Sequence, residues 1–166
     1  MLKLKNYLAV FILLILICSA RAQNPEIKDI THKTNVTSVW EVNTDVWEDG
    51  VGAGLHYPFL LNSRYKELGL KKDDYKISVV VHLAAGYWLL NDAAYQKHTG
   101  KTGANPNKEL VAQLINDGVS VEICGVTMLN NKWTAADLLP GVVILETGAY
   151  SRIIDLQKSG YSYIRF

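Results

Sequence analysis

The chain is poor in cysteine and nearly balanced in charge, and each shortage removes a class of function. Two cysteines in 166 residues exclude a disulfide framework. Seventeen basic residues against sixteen acidic ones leave no cationic footprint of the kind nucleic-acid binding needs, so no nucleic-acid partner is expected. His32, His56, His82 and His98 are scattered, with no close pair at helical spacing and no cysteine pair nearby, which gives a metal site no support. No Gly-x-Ser-x-Gly elbow occurs, so a Ser/His/Asp triad is not expected. Gly52-Ala53-Gly54-Leu55-His56-Tyr57 begins like a dinucleotide loop but places Tyr57 where the third glycine belongs. The strand after it ends in His82-Leu83 rather than in the acid that would hold a ribose. Gly100-Lys101-Thr102 copies the end of a phosphate loop, but Tyr95 stands in the earlier glycine's place and no strand leads in. No cofactor is therefore expected. No repeat or internal linker is visible, and one domain is the default for this length.

One apolar run stands apart at the N-terminus. Met1-Leu2-Lys3-Leu4-Lys5 is a basic start, Tyr7 to Ile17 is apolar but short for a bilayer span, and Ala20-Arg21-Ala22 supplies a small-x-small cleavage pattern. This predicts a secretory signal peptide over 1–22 and an exported, periplasmic protein beginning at Gln23. A lipoprotein signal on Cys18 would need a small residue where Ile17 stands, and an uncleaved anchor is the other alternative. Lys3, Lys5, Arg21 and Cys18 leave with the segment. The remainder carries 14 basic against 16 acidic residues, a net charge near −2, no stable membrane span and a single thiol, Cys124. Exported proteins normally pair their cysteines, so a lone one is either inert through burial or kept for its reactivity. The residues alone leave both readings open.

Residues 23–35 are polar and without period, and are expected as an N-terminal arm preceding a domain over 36–166. Thr37 to Thr44 alternates as a first strand, and Asp45 to Gly54 is expected as a loop. Leu55 to Leu68 predicts a helix with Leu61, Tyr65 and Leu68 on one face. Tyr75 to Leu83 predicts a strand whose β-branched core is buried on both sides. Gly86 to Tyr95 is expected as a short helix and Gln96 to Ala104 as a mobile loop. Asn105-Pro106 opens a helix ended by Gly118. Val119 to Ile123 then predicts a buried strand running into Cys124. A capping box at Thr134–Asp137 starts a brief turn that stops at Pro140. Gly141 to Glu146 is the next strand, and Ala149 to Ser159 a helix with Ile153, Ile154 and Leu156 inward. Tyr161 to Phe166 is the last strand. This alternation predicts an α/β domain, a parallel sheet of five strands with helices on both faces.

In open sheets of this kind, ligands bind just beyond the carboxyl ends of the strands. Cys124 falls at such an end, before a helical turn from Val126 to Asn130. The dipole and free N–H groups of a helix start favour a thiolate there. The opposing reading is a small hydrophobe filling the core. His82 also ends a strand and is a candidate partner for the thiolate, by charge or by proton transfer. Gly125 and Thr127, just after Cys124, are the candidate binding residues. Trp47, Trp88 and Trp133 are candidates for the walls of the strand-end crevice.

Gly118-Val119-Ser120-Val121-Glu122-Ile123-Cys124, followed by a short helix to Asn130-Asn131-Lys132, resembles the DsrE/TusD-type sulfur-relay family. In that family a strand reading G-V-x-(apolar)-x-(apolar)-C delivers a cysteine that carries sulfur as a persulfide. Asp137-Leu138-Leu139-Pro140-Gly141-Val142 and Leu156 to Ile164 are similar to the exported DsrE-like branch. The resemblance implies a three-layer α/β/α sandwich and a persulfide role for Cys124. It also implies a sulfur donor and acceptor as partners, and a homo-oligomer, trimeric or hexameric. A non-catalytic oligomeric binding module, with Cys124 as packing, is the alternative.

Overall fold

The structure, a computed structural model, describes residues 28–166. The expected signal peptide and residues 23–27 of the expected arm lie outside the described residues. The chain divides between Thr31 and His32, and the elements below belong to His32–Phe166. In order they are β1 (Val36–Val42), a hairpin of β2 (Trp47–Glu48) and β3 (Val51–Gly52), α1 (Ala53–Glu67), β4 (Tyr75–Val81), a 3₁₀ segment (Leu83–Leu89), and α2 (Asp92–Thr99). There follow α3 (Lys108–Asn116), β5 (Ser120–Cys124), α4 (Gly125–Asn131), a 3₁₀ turn (Ala135–Asp137), β6 (Val143–Leu145), α5 (Ala149–Lys158) and β7 (Ser162–Arg165).

Five strands form a parallel sheet in the order β6-β5-β4-β1-β7. The central place of β4 explains its composition, since Ile77, Val79, Val80 and Val81 are buried from both sides. Each such side chain contributes about 1.5–3 kcal/mol when removed from water. Alternation along the strands sorts the sheet into two faces. Trp40, Val42, Ile77, Val79, Val81, Val121 and Ile123 pack under α1, α3 and the first 3₁₀ segment, through Leu55, Val111, Leu114, Trp88 and Leu89. Val39, Val80 and Cys124 point the other way, onto Ala149, Ile153 and Leu156 of α5. The thiol therefore belongs to the smaller core, under a single helix.

Five local readings of the sequence are corrected. The expected Asp45–Gly54 loop contains the β2–β3 hairpin, and α1 already begins at Ala53. The expected Gly86–Tyr95 helix is 3₁₀ up to Leu89, and α2 begins after it. Asn91 caps α2 by accepting a hydrogen bond from the Ala94 N–H at 3.0 Å, so Gln96 to Thr99 are helical rather than loop. Asn105 does not itself cap α3. It builds the turn before that helix, its side chain accepting from the Asn107 N–H and donating to the Trp88 and Leu90 carbonyls. On α5, Ile153 and Leu156 face inward, but Ile154 is exposed.

Candidate functional site

The site is built where β4 and β5 end. The apolar run Val119–Ile123 makes β5 an interior strand, and its last residue, Cys124, is also the N-cap of the seven-residue helix α4. Cys124 is the free cysteine of the described residues and is 6% exposed. Its thiol makes no hydrogen bond among them. Gly148 stands beside it: a Cβ added there would lie 3.9 Å from the Cys124 Sγ and 3.6 Å from Val126. Gly148 has φ 88° and ψ 170°, a conformation almost confined to glycine, and it is the N-cap of the ten-residue helix α5. The sulfur thus lies beside the starts of two helices, one after its own strand and one after β6.

His82 follows β4 and is 2% exposed. Register pairs Val81 with Ile123, so His82 and Cys124 occupy neighbouring positions at the ends of adjacent strands, on one face. No hydrogen bond joins them. The imidazole is engaged elsewhere: Nε2 lies 3.0 Å from Oε1 of the buried Glu41, and Tyr150 of α5 packs edge-on against the ring at 5.2 Å. Glu41 is the centre of this cluster. Its Oε1 also accepts from Asn43 Nδ2 at 3.1 Å, and its Oε2 accepts from the Tyr163 hydroxyl. Burial raises the Glu41 carboxyl, but the bonds from Tyr163 and His82 and the charges of His82 and Arg165 outweigh it and hold the group below its usual range. The same bond to Glu41, with burial, pushes the Tyr163 phenol up.

Thr127 and Gly125 have structural work. Thr127 is buried, and its hydroxyl accepts the Leu83 N–H at 3.0 Å. Leu83 is at φ 51° with its side chain exposed, so this bond fixes the corner that carries His82. A Cβ on Gly125 would lie 2.8 Å from the Leu145 carbonyl; the space its missing side chain leaves is taken by β6 rather than left open for a ligand. Gly125 nonetheless borders a groove of about 430 Å³, with Val126, Met128, Leu129, Trp133 and Ile144 among its walls. Of the three candidate tryptophans, Trp133 lines this groove and Trp47 is half-buried, while Trp88 is fully buried core. A larger cavity of about 630 Å³ lies at the opposite, amino end of the sheet, between Asp74, Arg152 and Tyr161. It is remote from the thiol, and the strand-end rule favours the smaller groove.

Sequence reasoning missed Glu41, Tyr163 and a second buried acid. Glu122 sits on the same face of β5 as Cys124, is fully buried, and is bonded by Arg152 of α5 through Nε at 2.9 Å and Nη2 at 3.0 Å. The available signal was an acid inside an apolar strand, which needs a cationic partner. Among the described residues no group of three or more His, Cys, Asp or Glu side chains could hold a metal ion, and no helix is long and apolar enough to cross a membrane.

A five-stranded parallel sheet flanked by helices, with the free cysteine of the described residues where a strand gives way to a helix, defines an α/β protein. Residues 60–166 match the DsrE/DsrF-like family, and the chain belongs to it. The fold is similar to that of a protein of unknown function, MTH1491, from Methanobacterium thermoautotrophicum (TM-score 0.57, 21% identity, covering 80% of this chain and 100% of that one). It is also similar to the ychN protein from E. coli (TM-score 0.51, 14% identity, 80% and 100%). A comparison with curated proteins gives no match.

Proposed function

We propose that the protein carries sulfane sulfur on Cys124. The thiolate attacks the outer sulfur of a donor persulfide, R–S–SH; the S–S bond breaks, Cys124 becomes Cys–S–SH, and the donor leaves as R–S⁻. An acceptor thiolate then takes the outer sulfur and returns Cys124 to the thiolate. Neither exchange needs an external oxidant or reductant. Membership of the DsrE/DsrF-like family supports this reading. The observation that carries it is the position of Cys124 at a strand end, beside the starts of α4 and α5. Burial costs the thiolate its solvation, and the N–H groups at those helix starts partly replace it.

The signal segment expected over 1–22 would place this chemistry in the periplasm, which N-terminal sequencing of the exported protein tests by finding Gln23 first. The oligomer implied by the resemblance is supported by the α5 face, where Tyr150, Ile154, Val143 and Tyr163 remain exposed; sedimentation of the exported protein tests it. The opposing reading, a binding module with Cys124 as packing, is supported by the cysteine's contacts in the smaller core. Mass spectrometry after polysulfide treatment separates the two. The proposal expects a gain of about 32 Da, one sulfur atom, on the native protein and none on Cys124→Ser. A native protein that gains no mass, with a thiol titrating only after unfolding, refutes it.

A further inference from the structure

Three hydrogen bonds converge on Glu41, and the sulfur exchange proposed above uses none of them. Asn43, His82 and Tyr163 each face a carboxylate oxygen, and a carboxylate can only accept. The His82 nitrogen in contact, Nε2, must therefore carry a hydrogen. In the neutral ring this leaves Nδ1 as the basic nitrogen, and Nδ1 has no hydrogen-bond partner among the described residues. The two ring nitrogens face away from each other. Anchoring Nε2 to Glu41 therefore turns Nδ1 away from that carboxylate. The register of β4 on β5 puts His82 and Cys124 at neighbouring strand-end positions on one face. Helix α5 ties the two positions together, with Gly148 beside the sulfur and Tyr150 against the imidazole.

We propose that Glu41 is a positioning residue which, supported by Tyr163, fixes His82 as the Nε2–H tautomer so that Nδ1 takes the proton of Cys124. The inference rests on the sulfur-carrier reading for the use made of the thiolate. In the step the S–H bond breaks and an Nδ1–H bond forms. No hydrogen bond joins the two side chains directly, so one solvent water carries the proton between them. The product is a thiolate and an imidazolium, and the imidazolium keeps its Nε2–H on the ionised Glu41. The other charged and titratable groups around the ring are accounted for. Arg165 on β7 acts on Glu41, Tyr163 donates to it, and Tyr150 presents its ring. Glu122, one step back on β5, is neutralised by Arg152. Loss of the Glu41 charge should therefore act on the thiol through His82.

The test uses the ¹⁵N-labelled protein, read in two ways. Imidazole nitrogen shifts report the His82 tautomer, and iodoacetamide alkylation across pH reports thiolate formation at Cys124. The wild type should show Nε2–H in the neutral ring. Glu41→Gln should mix the tautomers and move the midpoint of the alkylation profile up by about one pH unit, an approximately tenfold slower rate at pH 7. Tyr163→Phe, which keeps the carboxylate, should move it in the same direction by less, and serves if Glu41→Gln does not fold. A wild-type Nδ1–H tautomer, superimposable profiles, or a thiol reactive only on unfolding would overturn the relay. Polysulfide loading is scored separately. A protein that fails to gain sulfur but shifts its profile with Glu41 loses the carrier function and keeps the relay; one that loads with unshifted profiles does the reverse.

Discussion

Removal of the Arg152 guanidinium is the most informative single perturbation of this fold. Glu122 is 1% exposed in its side chain and Arg152 is 34% exposed, so the pair is buried on the carboxylate's side alone. Arg152→Ala leaves Glu122 ionised in the sheet with only the Ser120 hydroxyl, at 2.8 Å, still donating to it. Breaking a buried pair in this way usually costs 3–5 kcal/mol, and the remaining bond and the open flank place this case near the low end, about 3 kcal/mol at pH 7. Urea unfolding of wild type and variant at pH 7, extrapolated to water, measures the cost. Replacing both residues by leucine should recover most of the loss. A cost under about 0.5 kcal/mol at pH 7 would refute the assignment of the pair as the clamp that seats α5.

Gly148→Ala forces a side chain onto φ 88°, ψ 170°, where strain costs about 1–3 kcal/mol; a urea midpoint equal to wild type would count against the geometry beside the sulfur. Thr127→Val keeps the shape but leaves the Leu83 N–H without its acceptor, a loss of about 1–3 kcal/mol, visible as faster amide exchange at Leu83. Glu41 has its folded-state value lowered from 4.5. Its contribution to stability is therefore fully present above that pH and is lost as pH falls through the lowered value. Thermal melts should show Tm dropping below about pH 4.5 in the wild type, with a flatter acid limb in Glu41→Gln.

Much of this was legible before the structure, and for identifiable reasons. Tyr75–Val81 and Val119–Cys124 are continuous apolar runs bounded by turn residues, a pattern that a strand buried on both faces imposes on its sequence. The position of Cys124 at the switch into a helix followed from that boundary. The β2–β3 hairpin was not legible because two residues per strand carry no period. Helix α2 was misplaced because Asn91 was not recognised as its cap, while the polar content of Gln96 to Thr99 reads as loop. Glu41 was hidden differently. Within Thr37–Thr44 it looks like the solvent-facing member of an alternating strand, and only the placement of β1 between β4 and β7 buries it. Its partners His82 and Tyr163 lie 41 and 122 residues away, a separation at which no local pattern operates.

The same long-range assembly explains why one short helix governs the site. Gly148 at the start of α5 abuts the sulfur, Tyr150 covers the imidazole, and Arg152 neutralises the acid two residues before the cysteine. Three residues within little more than one helical turn thus touch the sulfur, the imidazole and the neighbouring buried acid. Apolar packing of Ala149, Ile153 and Leu156 seats the helix, but those contacts are non-directional and would tolerate small displacements. The bidentate Arg152–Glu122 contact is directional and does not. The buried charge pair is therefore better read as a directional tie between α5 and β5 than as a source of net stability. It holds the helix whose N-cap, Gly148, lies beside the sulfur.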